Sequence, residues 1–597
     1  MSTPVLARRE RDRGPAVTQA AVSRPDRLRR YNSLLHAATL LGGLLLLLFF
    51  NRRDYFFADE WDFVLRRGLT HAELGLFTPH NEHWSTIPIL VFRTVFHFAG
   101  ARSYLPYLLP MLALHLAVAH LIWRTMLRVG VGPLLSTTLV GMFVVLGAGY
   151  QNLLWAFQVS QSGSLFFGWA MIMVVDRERP SWRSDALGWL FGVLSLLCSG
   201  VGVPMVLAAA LLVAFRSGLR PAVRCASVPA LVYLSWYVAV GHSGYNGQNG
   251  GGGFLDSLAA LPHLTWVGLT HVFEATFGVA GLGGVLVVAL AGYLLRGQRR
   301  MREGGVQAVV VATALTTIAF YALVVSGRTA LGEQGATASR YLYIAVALLL
   351  PAIGLALTEL DNWLHVPWSV AAGVVILLAV YNVGELRSYA ATNYTVQPAV
   401  QRRVIAAAQL ARTQPVIAAL VEPTYDPDIS IQALRRLDRA GDLPAGPPAT
   451  PAELLEAARY LQVSLTEAPL YAPSAAPRLV RFAGLPGAAG DPGCVTFDPA
   501  GTTTRLYLAV PSGGGSLSVT SEAGGSLQVT LNPGASSPLG SERPLALAAS
   551  RTEWLNIATA EGTPTLTLPA QSGQVRVCGL PGAQAAVRSS TGSVAVQ

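Results

Sequence analysis

Not one lysine occurs in the 597 residues; all 43 basic side chains are arginine. A P-loop needs a lysine on its phosphates and a Schiff-base enzyme needs a lysine amine, so both classes are excluded. A pump driven by its own P-loop ATPase domain goes with them. Charge of either sign is scarce, at 13% of residues against 52% hydrophobic, which lies outside ordinary soluble usage. Cysteine is scarce too: Cys198, Cys225, Cys494 and Cys578 are the four, and no Cys/His spacing suggests a zinc site. The net charge of +10 would suit nucleic acid, but the arginines gather at the ends of apolar runs. That is how membrane topology is written, so no nucleic-acid partner is expected.

What is present is a series of apolar runs. They lie at roughly 33–50, 104–124, 133–150, 157–175, 185–198, 200–215, 222–240, 277–295, 306–326, 340–358 and 366–384. A spanning helix needs about 20 apolar residues, because only a helix or a closed barrel satisfies its backbone in lipid. The expectation is therefore a polytopic α-helical membrane protein of about 11 transmembrane helices. The tail before the first run holds Arg8, Arg9, Arg11, Arg13, Arg24, Arg27, Arg29 and Arg30 and is read as cytoplasmic. Its length and the lack of a small-residue cleavage site argue against a cleaved signal peptide. Arginines at 124/128, 177/179/183, 216/220/224 and 296/299/300/302 mark four cytoplasmic loops. The first outer loop departs from this pattern with Arg52, Arg53, Arg66 and Arg67. An odd number of spans then puts the C-terminal region outside the cytoplasm, in a plasma or inner membrane. Ile87–Ala99 is apolar but too short to span and is read as an interfacial or re-entrant helix; His263–Phe277 is a second candidate.

From Glu385 the hydropathy falls. The expected organisation is a cytoplasmic tail (1–32), a transmembrane domain (33–384), an extracytoplasmic helical linker (385–470) with a Pro/Asp-rich break at 422–428, and an extracytoplasmic β-rich domain (471–597). In the last, short alternating runs such as Thr504–Val510, Ser516–Thr520, Ser526–Leu531, Thr565–Leu568 and Gln574–Val577 are separated by Gly/Pro/Ser turns, as in a small β-sandwich. Cys494 and Cys578 fall there and are expected to pair if the region is extracytoplasmic. Cys198 and Cys225 fall in or beside spans and read as inert apolar residues.

The polar residues that need explaining lie on the outer side of this map. Asp59, Glu60 and Asp62 sit between Phe57, Trp61 and Phe63, which would pull the segment to the membrane interface, where low dielectric favours a general base. A solvated acidic loop with aromatic anchors is the plainer alternative. His80, Asn81, Glu82 and His83 suit sugar hydroxyls, and the histidines with the acidic loop suit a divalent ion such as Mg²⁺ or Mn²⁺ on Asp59, Glu60 and His83. Gln151, Asn152 and Gln158, with Gln161, are neutral hydrogen-bonding groups for sugar hydroxyls or for helix contacts. Arg340, with Tyr341 and Tyr343 after it, is a candidate for phosphate, and Arg328 shares that task. His115 and His120, inside a span, read as packing or interhelical hydrogen-bond residues.

An acidic pair in the first outer loop, behind an arginine-preceded first span, resembles the GT-C superfamily of membrane glycosyltransferases. The short interfacial helix at 87–99, the Gly100-Ala-Arg-Ser-Tyr104 link and the long span returning inward are also similar in order. The resemblance covers 33–384 in layout, and in motif only the segments around Asp59–Asp62, His80–Trp84 and Ser339–Tyr343. It implies a polyprenyl-phosphate-linked sugar donor, Asp59 or Glu60 as the catalytic carboxylate, and Arg340 on the donor phosphate. No oligosaccharyltransferase-type Trp-Trp-Asp signature occurs, so the implied acceptor is a cell-envelope glycan or glycolipid rather than protein. Two rival classes stand beside this reading: a transporter or flippase for a lipid-linked or anionic solute, and a non-catalytic envelope-assembly partner.

Overall fold

The computed structural model describes residues 24–581 except 69–73, 178–180, 245–253, 305–306, 414–419, 423–425, 455–456, 458–462, 467–468, 470, 472–475, 484–485, 490, 492, 499–502, 512–513, 531–541, 558–564 and 569–573. The expected cytoplasmic tail thus lies, through Ser23, outside the described residues, as does part of the break at 422–428.

Each of the apolar runs forms helix. In chain order the helices are α1 (Arg24–Phe50), α2 (Thr86–Ala99), α3 (Leu105–Arg128), α4 (Pro133–Val144), α5 (Tyr150–Leu154), α6 (Val159–Val175), α7 (Trp182–Leu196) and α8 (Gly202–Ser217). Then follow α9 (Leu219–Ala239), α10 (Phe254–Phe277), α11 (Gly283–Gly304), α12 (Ala308–Arg328), α13 (Gly332–Ala336), α14 (Ser339–Leu364), α15 (Trp368–Thr413) and α16 (Ile431–Ala440). Among the described residues, 6 helices are long and apolar enough to cross a membrane, or 7 if the pair α4 with Gly147–Leu154, bent by 42°, counts as one span. The figure of 11 is therefore not carried by helix length. A rise of about 1.5 Å per residue leaves helices of 17, 15 and 16 residues (α6, α7, α8) short of a roughly 30 Å apolar layer.

α14 is buried along most of its length, from Ser339 to Leu355, and packs against α3 and α12, so it forms the centre of the helical body. α15 instead exposes Val374, Ile376, Leu377 and Val380, as a helix facing lipid would. Between helices, small residues permit close approach. A Cβ on Gly168 of α6 would meet the Met205 side chain of α8 at 2.5 Å, and one on Gly192 of α7 would meet Pro229 of α9 at 2.7 Å. α2 covers the interfacial stretch. At 14 residues it buries Thr86, Pro88, Ile89 and Phe92 and leaves Phe98 exposed, so one face packs and the other does not.

Two expected boundaries shift. α15 runs unbroken from Trp368 to Thr413, so no helix end marks residue 384. A helix has no reason to stop where hydropathy falls unless a cap or breaker stands there, and Glu385-Leu-Arg supplies neither. The strand region also starts early: after the short strands β1 (Arg67–Gly68), β2 (Leu74–Gly75), β3 (Leu420–Glu422) and β4 (Asp426–Ser430), β5 (Val463–Thr466) pairs with β13 (Arg551–Ile557) through backbone hydrogen bonds, inside the stretch read as linker.

Beyond it, one antiparallel sheet orders β5, β13, β10 (Gly515–Ser521), β15 (Val575–Cys578), β8 (Cys494–Phe497) and β7 (Pro486–Ala489). The other orders β12 (Glu542–Leu547), β11 (Gly525–Thr530), β14 (Thr565–Leu568), β9 (Thr504–Ala509) and β6 (Arg478–Ala483). Alternate residues of both sheets, among them Val495, Phe497, Leu506, Leu508, Leu517, Val519, Leu566 and Val577, share one apolar core. The register of β8 and β15 sets Cys494 directly opposite Cys578, and the two form a disulfide.

Candidate functional site

The loop between α1 and α3 turns on two residues with left-handed backbone. Ala58 has φ 48° and Asn81 has φ 51°. Asparagine visits this region readily, whereas alanine pays about 1–2 kcal/mol, a cost that surrounding contacts must hold in place. The Ala58 turn sends its two following carboxylates in opposite directions.

Glu60 goes inward and is fully buried. Its Oε2 accepts from the Phe57 backbone N–H (2.8 Å), and its Oε1 accepts from the Tyr104 hydroxyl (2.6 Å) and the Phe157 N–H (3.0 Å). Tyr104 in turn accepts from the Ala156 N–H at 2.9 Å. Glu60 therefore ties the first loop to the start of α3 and to the segment before α6. Burial pushes its carboxyl up to about 8, against the pull of those three donors. Glu60 is thus enclosed, with three donors on its two oxygens, and is placed away from solvent.

Asp59 goes outward, with its side chain 37% exposed. Its Oδ2 lies 3.5 Å from His80 Nε2, while His80 Nδ1 lies 2.9 Å from Asp62 Oδ2. One imidazole thus bridges the two carboxylates. Burial works against its charge, but Asp59 and Asp62 together raise its pKa from 6.5 to about 9, so it is an imidazolium at neutral pH. Asp62 is buried and accepts from Arg67 Nε at 2.7 Å as well; His80 and Arg67 outweigh burial and hold its carboxyl below the usual range. Arg67 also donates to the Thr78 and Pro79 carbonyls, fastening the segment that carries His80. A π-helical turn, Asp62–Arg66, links the two ends of this network. Phe63 and Phe157 pack on the His80 ring.

Asn81 and Glu82 form the tip of a tight turn closed by reciprocal backbone hydrogen bonds of 3.0 Å between His80 and His83. Asn81 is exposed, and Glu82 Oε2 pairs with Arg328 at 3.6 Å. His83 packs against Gly200, where a Cβ would come within 2.9 Å of its Nδ1. Burial lowers the His83 pKa to about 4, and the nearby charges of Arg328, His80 and Arg340 act in the same direction. The ends of α12 and α14, which carry Arg328 and Arg340, are thus brought to the loop that carries His80. Arg340 lies over the Tyr341 ring at 5.2 Å and forms no ion pair among the described residues.

Other candidates are placed elsewhere. Tyr343 is fully buried inside the helical body, hydrogen-bonded to His115 Nδ1 at 2.8 Å and stacked on Phe143, so it does not reach a phosphate at the mouth of α14. Tyr341 is buried beside Phe320. Asn152 donates to Gln161 at 2.9 Å, linking α5 to α6, and Gln158 is buried with no hydrogen-bond partner for its Oε1 among the described residues. Gln151 is held through its backbone N–H by Ser339 Oγ at 3.2 Å. The proposed metal set does not assemble: Glu60 faces away from Asp59, and no three His, Cys, Asp or Glu side chains converge on one point among the described residues. Sequence reasoning missed Arg67 and Tyr104. For Arg67 a signal existed, since an arginine in an outer loop runs against the positive-inside bias; for Tyr104 there was none.

Fold and site together define a polytopic helical membrane protein with an exposed carboxylate mounted on a buried ionic network at one end of its bundle. Two solved structures resemble the chain. One is ArnT from Cupriavidus metallidurans bound to undecaprenyl phosphate, at 14% identity and a TM-score of 0.40, covering 71% of this chain and 87% of that one. The second is the archaeal oligosaccharyltransferase AglB from Archaeoglobus fulgidus with an inhibitory peptide and a dolichol-phosphate, at 13% identity and a TM-score of 0.38, covering 70% of this chain and 61% of that one. No protein-family model and no curated protein matches the chain.

Proposed function

We propose that the chain is a GT-C-type membrane glycosyltransferase that moves a sugar from a polyprenyl-phosphate-linked donor to a cell-envelope glycan or glycolipid. The observation that carries the reading is Asp59: a solvent-reachable carboxylate at ion-pair distance, 3.5 Å, from His80, which is itself anchored by buried Asp62, in turn bound by Arg67. The anchored imidazole gives Asp59 a fixed charge to orient against, and orientation is what an acid–base residue needs. In the transfer, the acceptor hydroxyl gives its proton to Asp59 as its oxygen bonds to the anomeric carbon, and the bond from that carbon to the donor phosphate oxygen breaks. The departing polyprenyl phosphate gains negative charge, which Arg340 and Arg328 offset. Asn81 and Glu82 at the tip of the same turn, with Arg328 beside them, offer polar contacts to sugar hydroxyls. In this reading the N-terminal tail is cytoplasmic, and the site and the C-terminal region face outward.

The test is transfer by purified, reconstituted protein offered a panel of radiolabelled polyprenyl-phosphate sugars, with Asp59→Asn and Arg340→Ala compared at equal abundance. Wild type should turn over at least one donor. Asp59→Asn should lose turnover with donor binding kept, and Arg340→Ala should lose both, since its charge acts on ground and transition states alike. Near-normal transfer by Asp59→Asn would overturn the assignment.

A further inference from the structure

At the end of the bundle where α3, α6 and α8 finish and α7 and α9 begin, arginines and aspartates form a second polar cluster, separate from the Asp59 loop. Arg216 binds Asp176 at 2.8 Å, with Arg128 at 3.7 Å from the same carboxylate, and Arg224 binds Asp185 at 3.0 Å. Arg177 adds a fourth guanidinium; it donates to its own helix at the Val174 carbonyl (3.1 Å) and forms no ion pair among the described residues. Among the described residues of this cluster, four guanidiniums stand against two carboxylates. A small cavity opens between them, lined by Arg177, Arg216 and Arg224 with the hydroxyl-bearing Ser184 and Ser217, and by the Asp185 carboxylate that Arg224 neutralises. The Nε of Arg216 is buried there without a hydrogen-bond partner.

The walls beside the cavity are apolar and uncovered. Leu187 and Leu190 of α7 are 44% and 51% exposed, and Leu219 and Val223 of α9 are 77% and 68% exposed. Trp182, at the start of α7, is exposed beside Arg183, a pair suited to the headgroup level of a bilayer. A basic, hydroxyl-bearing recess bordered by free aliphatic surface matches a molecule with an anionic head and hydrocarbon chains. We infer that the cleft between the starts of α7 and α9 is a binding site for an anionic phospholipid, whose phosphate sits among Arg177, Arg216 and Arg224 and whose acyl chains lie on Leu187, Leu190 and Val223. Basic pockets between helices are a general means of recognising such headgroups, and charge complementarity together with the apolar border favours a lipid over a free anion. The site is independent of the sugar-transfer reading, because none of its residues belongs to the Asp59 loop or to the arginines at the ends of α12 and α14.

The test is native mass spectrometry of the full chain released from nanodiscs containing phosphatidylglycerol and phosphatidylcholine in equal amounts. Wild type should retain phosphatidylglycerol selectively. Arg177→Gln and Arg224→Gln should each weaken retention about 5-fold, as expected for removal of one cation near a membrane surface, and Arg177→Lys should restore it. Arg177 is exposed and unpaired with any described carboxylate, so its variants test the site without threatening the fold. Arg576→Gln, in the strand region, should leave retention unchanged. Equal retention of the two lipids, or undiminished retention by Arg177→Gln and Arg224→Gln, would overturn the inference. So would thermal stabilisation by inorganic phosphate alone equal to that by phosphatidylglycerol, which would make the cleft a site for free anions.

Discussion

The helical body buries Glu60, Asp62, Arg67 and His80, whereas among the described residues of the strand region the buried polar ones are Thr504, Ser516, Ser518, Ser521, Asn556, Thr565 and Thr567, all neutral. Its shared core between the sheets is aliphatic apart from Phe497. Burying charge is expensive and is repaid only where partners are near-ideal, so ionic networks are poor devices for stability alone. Aliphatic burial stabilises by roughly 25 cal/mol per Å² and asks for no geometry beyond shape. The contrast locates the part of the molecule that accepts a cost for precision, and it is the part around Asp59.

The largest effect expected from this contrast is on turnover. Asp59→Asn should lower transfer by roughly 10²–10⁴-fold while leaving the melting temperature nearly unchanged, because the side chain is partly exposed and carries no buried partner of its own beyond His80. Glu60→Gln should behave in the opposite sense, with stability falling before chemistry, since the amide nitrogen it introduces would face one of three donors. Parallel assays of transfer and thermal unfolding in detergent check both, and a stable, inactive Glu60→Gln enzyme would reverse the roles of the two carboxylates.

Next in size is the staple of the strand region. Removing the Cys494–Cys578 bond, which closes a loop of 84 residues, should destabilise that region by roughly 4 kcal/mol through the freedom returned to the unfolded chain. The double Cys→Ser variant, followed by limited proteolysis, should cut first beyond residue 463 and spare the helical body. Simultaneous loss of both would mean that the two cores do not stand apart.

A smaller effect is expected at Tyr104. Tyr104→Phe strips Glu60 of its 2.6 Å donor and the Ala156 N–H of its acceptor, and should cost about 1.5–3 kcal/mol. Denaturation in mixed micelles against wild type measures it. An unchanged midpoint would show that water or a neighbour takes the hydroxyl's place.

The smallest is a pH effect at the ionic network. The folded-state pKa of His80 is raised from 6.5 to about 9, so its contribution is fully present below about 6.5 and is lost as pH rises through about 9. Asp62, lowered by His80 and Arg67, contributes above its unfolded value of 3.8 and loses that contribution only as pH falls through its folded value. The stability difference between wild type and His80→Gln should therefore shrink as pH is raised from 6.5 to 9.5. A difference that stays constant over that range would mean that His80 is not charged by its two carboxylates.

Much of the architecture is legible along the chain because membrane crossing depends on summed apolarity within one segment. All the apolar runs became helices, and the strands at 504–509, 515–521, 565–568 and 575–578 lie where alternation and turn residues point. The count of spans was less legible, since an apolar run does not fix the length of its helix: α6, α7 and α8 stay at 17, 15 and 16 residues. Tyr343 misled because an aromatic one turn beyond an arginine reads the same whether it faces a headgroup or, as in this fold, His115.

By itself, then, the sequence determined that this is a lysine-free, helix-rich membrane chain with a strand-rich C-terminal region, and that acidic and histidine residues gather after the first span. These are properties of composition and local period. Only the tertiary structure decided which of two adjacent carboxylates faces the solvent. That choice rests on a left-handed turn at Ala58 and on partners distant in sequence: Tyr104 and Phe157 draw Glu60 inward from 44 and 97 residues away, while His80, 18 residues from Asp62, holds Asp59 at the surface. Hydrogen-bond direction acts over about 3 Å in space and leaves no period in a sequence.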